Sequence, residues 1–352
     1  MLTQETGRLI LCQFRETDFE SVHAYASCYD NVKYMPWGPN DESDTKAFIT
    51  RAITESEETP CRDYEYAAVL KETGKLIGAC SISLKGKDEA ELGWILNRNY
   101  WQQGFGTEMG AFLLRFGFED QKLRRIIAHC DTENHSSYRV MERIGMRREG
   151  TLIENRPANK QSGKKYCDEY SYAILRDEYD TQKEIMYYKS LPVSFVDFIE
   201  VPELADDEIE LICIEKTPAI PEKKFVPAYS FEIRRDGQKI GAISLRIGYT
   251  EGLYYGGNIG YGIDENFRGH NYAMKACKLL APVIKAHGMT KILITNNNTN
   301  IASKRTCEKL AAKLLRVARL PEWHDLYKMG RRFSNVFEWD LSESNQNEFE
   351  NS

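Results

Sequence analysis

Two glycine-bearing segments of this chain have the residue types and spacing to hold a phosphate. The first is Trp101-Gln102-Gln103-Gly104-Phe105-Gly106-Thr107 and the second is Arg268-Gly269-His270-Asn271-Tyr272-Ala273. Each follows a short apolar run, Leu92-Gly93-Trp94 or Ile259-Gly260-Tyr261, and each opens a helical pattern. A strand that turns into a helix gathers backbone N–H groups with no intrahelical partner at the positive end of the helix dipole. Such a cluster suits a phosphate. Gly104 permits close approach or positive φ, and Gly106 puts the smallest side chain at the helix start. A lone Gly-x-Gly is weak evidence, because generic anion nests share it.

The pattern gains weight because it occurs twice. From Gly104 to Asn271 the shift is 167 residues, and Leu92-Gly93-Trp94 keeps it against Ile259-Gly260-Tyr261. A second block, Asn134-x-x-Ser137-x-Arg139-x-x-Glu142, recurs as Asn300-x-x-Ser303-x-Arg305-x-x-Glu308, a shift of 166 from Asn134 to Asn300. A repeat this long is a duplicated domain rather than a solenoid unit.

The elements around these motifs read as α/β. The first half predicts a strand at Arg8–Phe14, helices at Glu16–Ser27 and Ser43–Ile53, and a hairpin of Tyr66–Leu70 with Leu76–Leu84 turning at Thr73-Gly74. Leu92–Leu96 is the next strand. Phe105, Met109, Phe112, Leu113 and Phe116 then fall on one helical face, matched by Tyr272, Ala276, Leu279, Leu280 and Val283, although Pro282 should kink or shorten the second helix. Strands at Ile126–His129 and Ile292–Thr295 precede helices at Asn134–Ile144 and from Asn300. Tyr170–Leu175 reads as the last strand of the first half. The second half is expected to open with Val193–Val201 and a proline-bearing loop, to form a hairpin of Ser230–Arg234 with Lys239–Arg246, and to end at Asn335–Leu341. The seam falls within Arg176–Leu191. This gives a first domain at 1–180, a linker helix at 181–191, a second domain at 192–341 and a disordered polar tail at 342–352.

Composition bounds the rest. The 352 residues suit two domains, with 42% hydrophobic and 28% charged residues as in a soluble globular protein. No apolar run is long enough for a membrane helix, and no secretory signal is visible at the N-terminus. Nine cysteines without C-x-x-C spacing and six scattered histidines predict no metal site and point to a reducing cytoplasm. A net charge of −6 argues against nucleic acid as partner.

The residues Glu91-Leu-Gly-Trp94, Tyr100-Trp101-Gln-Gln-Gly104-Phe-Gly106-Thr107-Glu108, Asn134-His-Ser-Ser137, Glu142-Arg-Ile-Gly-Met146 and Tyr172-Ala-Ile-Leu175 resemble the GCN5-related N-acetyltransferase (GNAT) superfamily. The first domain is similar to its ribosomal-protein alanine acetyltransferase branch, and Ile240–Leu314 resembles another branch. The resemblance implies two tandem folds, each a mixed, mostly antiparallel sheet flanked by helices, with a V-shaped splay that takes acetyl-CoA. By the same resemblance Trp94 and Leu96 would hold the pantetheine arm, Gln102, Gln103, Gly104, Phe105, Gly106 and Thr107 the pyrophosphate, and Asn134 and Ser137 the region between. In the second copy the corresponding set is Ile263, Arg268, Gly269, Asn271, Tyr272, Ala273, Asn300 and Ser303.

The implied reaction is acetyl transfer to a primary amine: a protein N-terminus, a polyamine-like metabolite or an amine antibiotic. An alkylammonium is only on the order of 0.1% free amine at pH 7, so a base or a water path to one helps. Glu91 and Glu154 are the candidates, against the alternative that each is solvated or salt-bridged. Many superfamily members carry a tyrosine seven residues after the helix-opening asparagine. Met141 and Cys307 stand there, which leaves Ser137 as proton donor or as a mere helix cap. Cys130 reads as a buried hydrophobe rather than a nucleophile. By the resemblance, the loop with Tyr34, Trp37, Asp41 and Glu42 lies where the family builds its acceptor wall, and aromatics with two carboxylates would suit an ammonium; the alternative is a merely packed loop. Asn258 stands where the first copy has Glu91, so the second domain, or the whole protein, is alternatively a non-catalytic acetyl-CoA-binding, structural or sensing module. A monomer or homodimer is expected.

Overall fold

The computed structural model describes residues 3–58 and 60–342, and the expected tail lies outside them from residue 343 onward. The chain forms two compact units, Met1–Asp180 and Thr181–Ser352. In the first, β1 (Gln4–Glu5) and β2 (Leu9–Cys12) lead to α1 (Phe19–Ala26), α2 (Tyr29–Val32) and α3 (Glu42–Glu57). Then come β3 (Asp63–Leu70), β4 (Leu76–Leu84), β5 (Glu89–Leu96), α4 (Phe105–Arg115), β6 (Arg125–Asp131), α5 (His135–Arg143), β7 (Arg147–Pro157) and β8 (Tyr166–Leu175). Helix α6 (Arg176–Ser190) contains the boundary. The second unit has β9 (Glu210–Thr217), β10 (Ala228–Arg235), β11 (Gln238–Arg246), α7 (Glu251–Gly256), β12 (Ile259–Ile263), α8 (Tyr272–Leu279), α9 (Ala281–Ala286), β13 (Lys291–Asn296), α10 (Ile301–Lys309), β14 (Lys313–Arg319), α11 (Asp325–Lys328) and β15 (Phe333–Asp340).

The sheet orders are β1-β2-β3-β4-β5-β6-β8-β7 and β14-β15-β13-β12-β11-β10-β9. Apart from the extra β1 the two topologies are the same, as a duplication requires. Every pairing is antiparallel except β5 with β6 and β12 with β13. That exception makes the functional gap. Pairing of β5 with β6 runs from Glu89↔Arg125 to Leu92↔Ala128 and stops, while β5 stays paired to β4 as far as Leu96. The open edge of β5 from Gly93 to Leu96 therefore faces a splay, the V expected from sequence. In the second unit β12 and β13 share only Ile259↔Ile294.

Strand alternation sends side chains to two faces. One face of the first sheet carries Tyr66, Ile82, Leu92 and Ile126 against Met109, Phe112 and Leu113 of α4, the helical stripe read from sequence. The other packs Ala67 and Ala79 against Val22, Tyr25 and Ile49 of α1 and α3. Pro282 does break its helix: α8 ends at Leu279, and α9 starts at Ala281 with the proline in its first turn.

One expectation is corrected. The run Val193–Val201 is not a strand. Its alternating apolar residues belong to an irregular segment whose Phe195 and Phe198 pack on His287 and Tyr229. The strand that opens the second sheet is β9, passed over because it is an edge strand with one paired side.

Glu149 ties β6 to β7. It accepts two bonds from Arg125 (3.1 and 2.6 Å) and one from Arg147 (2.6 Å), and the Arg125 contact holds its carboxyl down to about 2. A folded-state value below the unfolded one near 4.3 stabilises above that pH and is lost as pH falls through about 2. Glu149→Gln is expected to cost about 1–2 kcal/mol at neutral pH, allowing for solvent screening. Urea melts should show the difference closing as the medium is acidified.

Candidate active site

At the N-terminus of α4, Gly104 takes φ +83° and Gln102 φ +60°, so the loop curls back on itself. A Cβ on Gly106 would lie 3.2 Å from Val140 Cγ2. A larger residue here would press on α5, and the second copy carries the small Ala273 at this position. Between this loop, the open edge of β5 and α5 lies a cleft of about 720 Å³. Trp94, Leu96, Gln102, Gly104, Phe105, Gly106, Thr107, Asn134 and Ser137 all line it. Gln103 does not. Its carbonyl accepts from Arg8 (2.9 Å) and its amide donates to Asn99 O (3.0 Å), which braces the loop from outside. The Leu96 carbonyl already accepts from Asn31 (2.6 Å) and Trp101 Nε1 (2.9 Å), so both of its acceptor positions are filled.

Asn134 is the helix cap of α5: its Oδ1 accepts from Ser137 N at 3.1 Å. The capping role weighed for the Ser137 hydroxyl therefore falls to its neighbour, and Ser137 lines both this cleft and a second cavity of about 520 Å³. Sequence reasoning passed over Arg139 and Arg143, which add positive charge to the cleft from one face of α5, four residues apart. A signal existed, since Arg305 and Lys309 occupy the same offsets after Asn300.

The second cavity lies past the end of β5–β6 pairing and is lined by Glu91, His129, Arg156 and Glu169 with Tyr34. Glu91 accepts from His129 Nδ1 at 3.0 Å and meets Lys85 at 3.2 Å. The His129 contact holds the Glu91 carboxyl below its ordinary value, and the same contact raises the His129 imidazole. Buried Glu169 is held by Arg156 (2.6 Å) and Asn155 (2.7 Å). Burial pushes the Cys130 thiol up to about 12, in keeping with its reading as a core residue.

Not every candidate reaches the site. Glu154 is exposed at a bulge of β7 with φ +46°, donates its N–H to Asp168 and lines none of these cavities. Asp41 caps α3 by accepting from Asp44 N (2.8 Å), and Glu42 pairs with Lys46 in solvent. Both do structural work, whereas Tyr34 and Trp37 line cavities. The loop that presents them is held by buried Asn159, whose amide faces the carbonyls of Val32, Met35, Trp37 and Gly38 at 3.1–3.4 Å. Nothing local in the sequence marks Asn159.

In the second unit Asn271 takes φ +63° and Gly269 φ +91°, so the loop keeps its shape. Arg268 Nε donates to Ile263 O at 3.1 Å, the strut that Trp101 makes to Leu96 in the first unit. Lys309 donates to the Asn271 side chain, and buried Tyr272 accepts from Arg235. Ala273 follows in the first turn of α8. Asn300 caps α10 through Ser303 N (3.0 Å), and the Ser303 hydroxyl bonds Tyr261 OH at 2.9 Å. Asn258 is fully buried. Its amide donates to Arg246 O (3.2 Å) and Gly248 O (2.8 Å), and its oxygen accepts from Leu293 N (3.0 Å). The position of the first unit's carboxylate has become a staple across β11, β12 and β13. Asn258→Ala is expected to cost about 2 kcal/mol by orphaning those groups, read as a lower melting midpoint of the second unit.

Among the described residues no cluster of His, Cys, Asp or Glu could hold a metal ion, and no helix is long and apolar enough to cross a membrane. The family model "Acetyltransferase (GNAT) domain" matches residues 8–147 and 168–313. The uncharacterized N-acetyltransferase YnaD of Bacillus subtilis is 36% identical over 176 residues, 50% of this chain and 98% of its own. The uncharacterized N-acetyltransferase p20 of Bacillus licheniformis is 30% identical over 51% of this chain and 99% of its own. A solved GNAT-family acetyltransferase from Bacillus anthracis is 36% identical, covering 50% of this chain and 99% of that one, with a TM-score of 0.44. With the repeated glycine loops, the split parallel strand pair in each unit and a family match across both halves, the chain belongs to the GNAT acetyltransferase family.

Proposed function

We propose that the first unit transfers the acetyl group of acetyl-CoA directly to a primary amine. The observation that carries this is the meeting of two cavities at Trp94, Asn134 and Ser137: a glycine-loop cleft on one side, an acid–histidine cavity on the other. The cleft fits a pyrophosphate, since a Cβ at Gly106 would crowd its wall and Gly104 holds the left-handed turn. Arg139 and Arg143 would add charge to that binding. Acetyl-CoA supplies an activated thioester at the splay, and the amine attacks it there.

His129, held by Glu91, would take the ammonium proton. Ser137 would donate to the leaving thiolate. Nine free cysteines favour a reducing compartment such as the cytoplasm. The test is release of free coenzyme thiol by the full chain with acetyl-CoA and a panel of primary amines. Amine-dependent release above the hydrolysis rate is expected, and its absence with every amine would overturn the reading.

The second unit is read differently. Asn258, buried and fully bonded, cannot act as a base, so this unit binds coenzyme or supports the first without chemistry of its own.

A further inference from the structure

A third cavity, of about 830 Å³, lies between α1, α3 and the face formed by β3, β4 and β5. Its walls include Trp37, Phe48 and Trp94, and its floor carries Tyr25, Glu65 and Ser81. Glu65 is opposite Ser81, and Ser81 is opposite Gly93, so the three share one sheet face and lead in a row towards the splay. Gly93 leaves that row open, because a Cβ there would lie 2.9 Å from Ser81 Oγ. This cavity shares Met35, Pro36, Ser81, Gly93 and Trp94 with the acid–histidine cavity.

Two polar groups here lack partners. Tyr25 is 1% exposed, and its hydroxyl has no hydrogen-bond partner among the described residues. Glu65 likewise makes no hydrogen bond or ion pair among them. Burial pushes its carboxyl up to about 7, with Arg51 opposing and Glu55 and Asp63 adding to the rise. Asp44, Arg51 and Lys160 are exposed at the rim, where Arg51 pairs with Glu55 at 3.7 Å and only partly offsets the Glu65 carboxylate. An unpaired carboxylate beside an orphan hydroxyl and aromatic walls is a cation site.

We propose that this cavity is a second acceptor subsite, in which Glu65 pairs with the distal cationic group of an acceptor whose reacting amine lies at the β5–β6 splay. This rests on the acetyl-transfer reading above. Two strand spacings separate β3 from β5, so the two nitrogens should lie about 10 Å apart, the span of an eight-carbon chain. The acceptor class is accordingly a long diamine or a molecule with two cationic ends, not a simple monoamine.

The experiment uses the full chain and three probes: diaminooctane, amino-octanol of the same length with a neutral end, and diaminobutane, too short to reach. Diaminooctane should show a KM about tenfold below both others, and Glu65→Gln should reduce that ratio to about one. Calorimetric binding of the same probes, with a thermal melt of the variant, should show the same preference. Affinity for diaminooctane should rise between about pH 6 and pH 8 in the parent and stay flat in the variant, since a protonated carboxyl cannot pair. Equal KM and equal binding for the three probes, or a Glu65→Gln effect shared by all, would overturn the subsite. No turnover with any probe, alongside Glu65-dependent diaminooctane binding, would keep the subsite and sink the acetyl-transfer reading instead.

Discussion

Replacing Gly104 and Gly106 together by glutamate is expected to weaken acetyl-CoA binding to the first unit by about a thousandfold, or roughly 4 kcal/mol. Two effects add. Gly104 sits at φ +83°, where any side chain is strained, and a Cβ at Gly106 meets Val140 Cγ2 at 3.2 Å. More important, two carboxylates would stand where Gly104 and Gly106 now line the cleft. At about 4 Å and an effective dielectric of about 20, one like-charge contact with a phosphate is worth about 4 kcal/mol. Gly106→Ala separates the terms: it carries the steric part alone and should cost about tenfold. Calorimetric titration of the full chain reads the result as a site count. Two sites falling to one would mean that the Asn271 loop also binds; one falling to none would make the second unit a supporting structure. Binding to the first unit that persists within tenfold would show that the phosphates lie elsewhere.

The Asn271 loop has its own discriminating variant. Lys309 is engaged by the Asn271 side chain, while its counterpart Arg143 lines the cleft of the first unit. Asn271→Gly removes that bond and the competing side chain at φ +63°. Improved coenzyme binding would mark a latent site. An unchanged titration would fit the non-binding alternative.

What was legible in the sequence were the features set by local chemistry. The glycine loops, the Thr73-Gly74 hairpin and the α4 stripe each follow from residues close together along the chain. Strands without such a signature escaped. β7 is an edge strand exposed along most of its length and interrupted by two register shifts, so it shows no period-two pattern. The site divides the same way. Gly104 lies in a repeated loop and Asn134 and Ser137 recur as Asn300 and Ser303, so these cleft-lining residues are visible along the chain. His129, Arg156 and Glu65 come from β6, β7 and β3, and only sheet register brings them to the cavities, while Asn159 acts at one remove by bracing the loop that carries Tyr34 and Trp37. Asp41 and Glu42 line none of the three cavities, since helix capping and an i,i+4 pair engage them locally.

His129→Ala is expected to lower kcat/KM for amine acetylation on the order of a hundred- to a thousandfold, the usual worth of a positioned base. Glu91 is the weaker base of the two. Its carboxyl is held low by His129 and Lys85, so it stays ionised and holds no proton at neutral pH. His129 is held high by Glu91, which brings its proton affinity closer to that of the ammonium it must relieve. The pH profile tests this assignment with a definite sign. Activity should rise as His129 loses its proton, so the acid limb marks its raised value. Glu91→Gln removes the anion that raises it, and the limb should move to lower pH, towards about 6.5. The plateau rate should fall as well, because an uncharged amide stabilises imidazolium less. Were Glu91 itself the base, Glu91→Gln would abolish the plateau and His129→Ala would shift the limb only slightly. An acid limb unmoved by Glu91→Gln, together with a His129→Ala loss under about fivefold, would remove the pair from the proton path and leave a water chain as the acceptor of the proton.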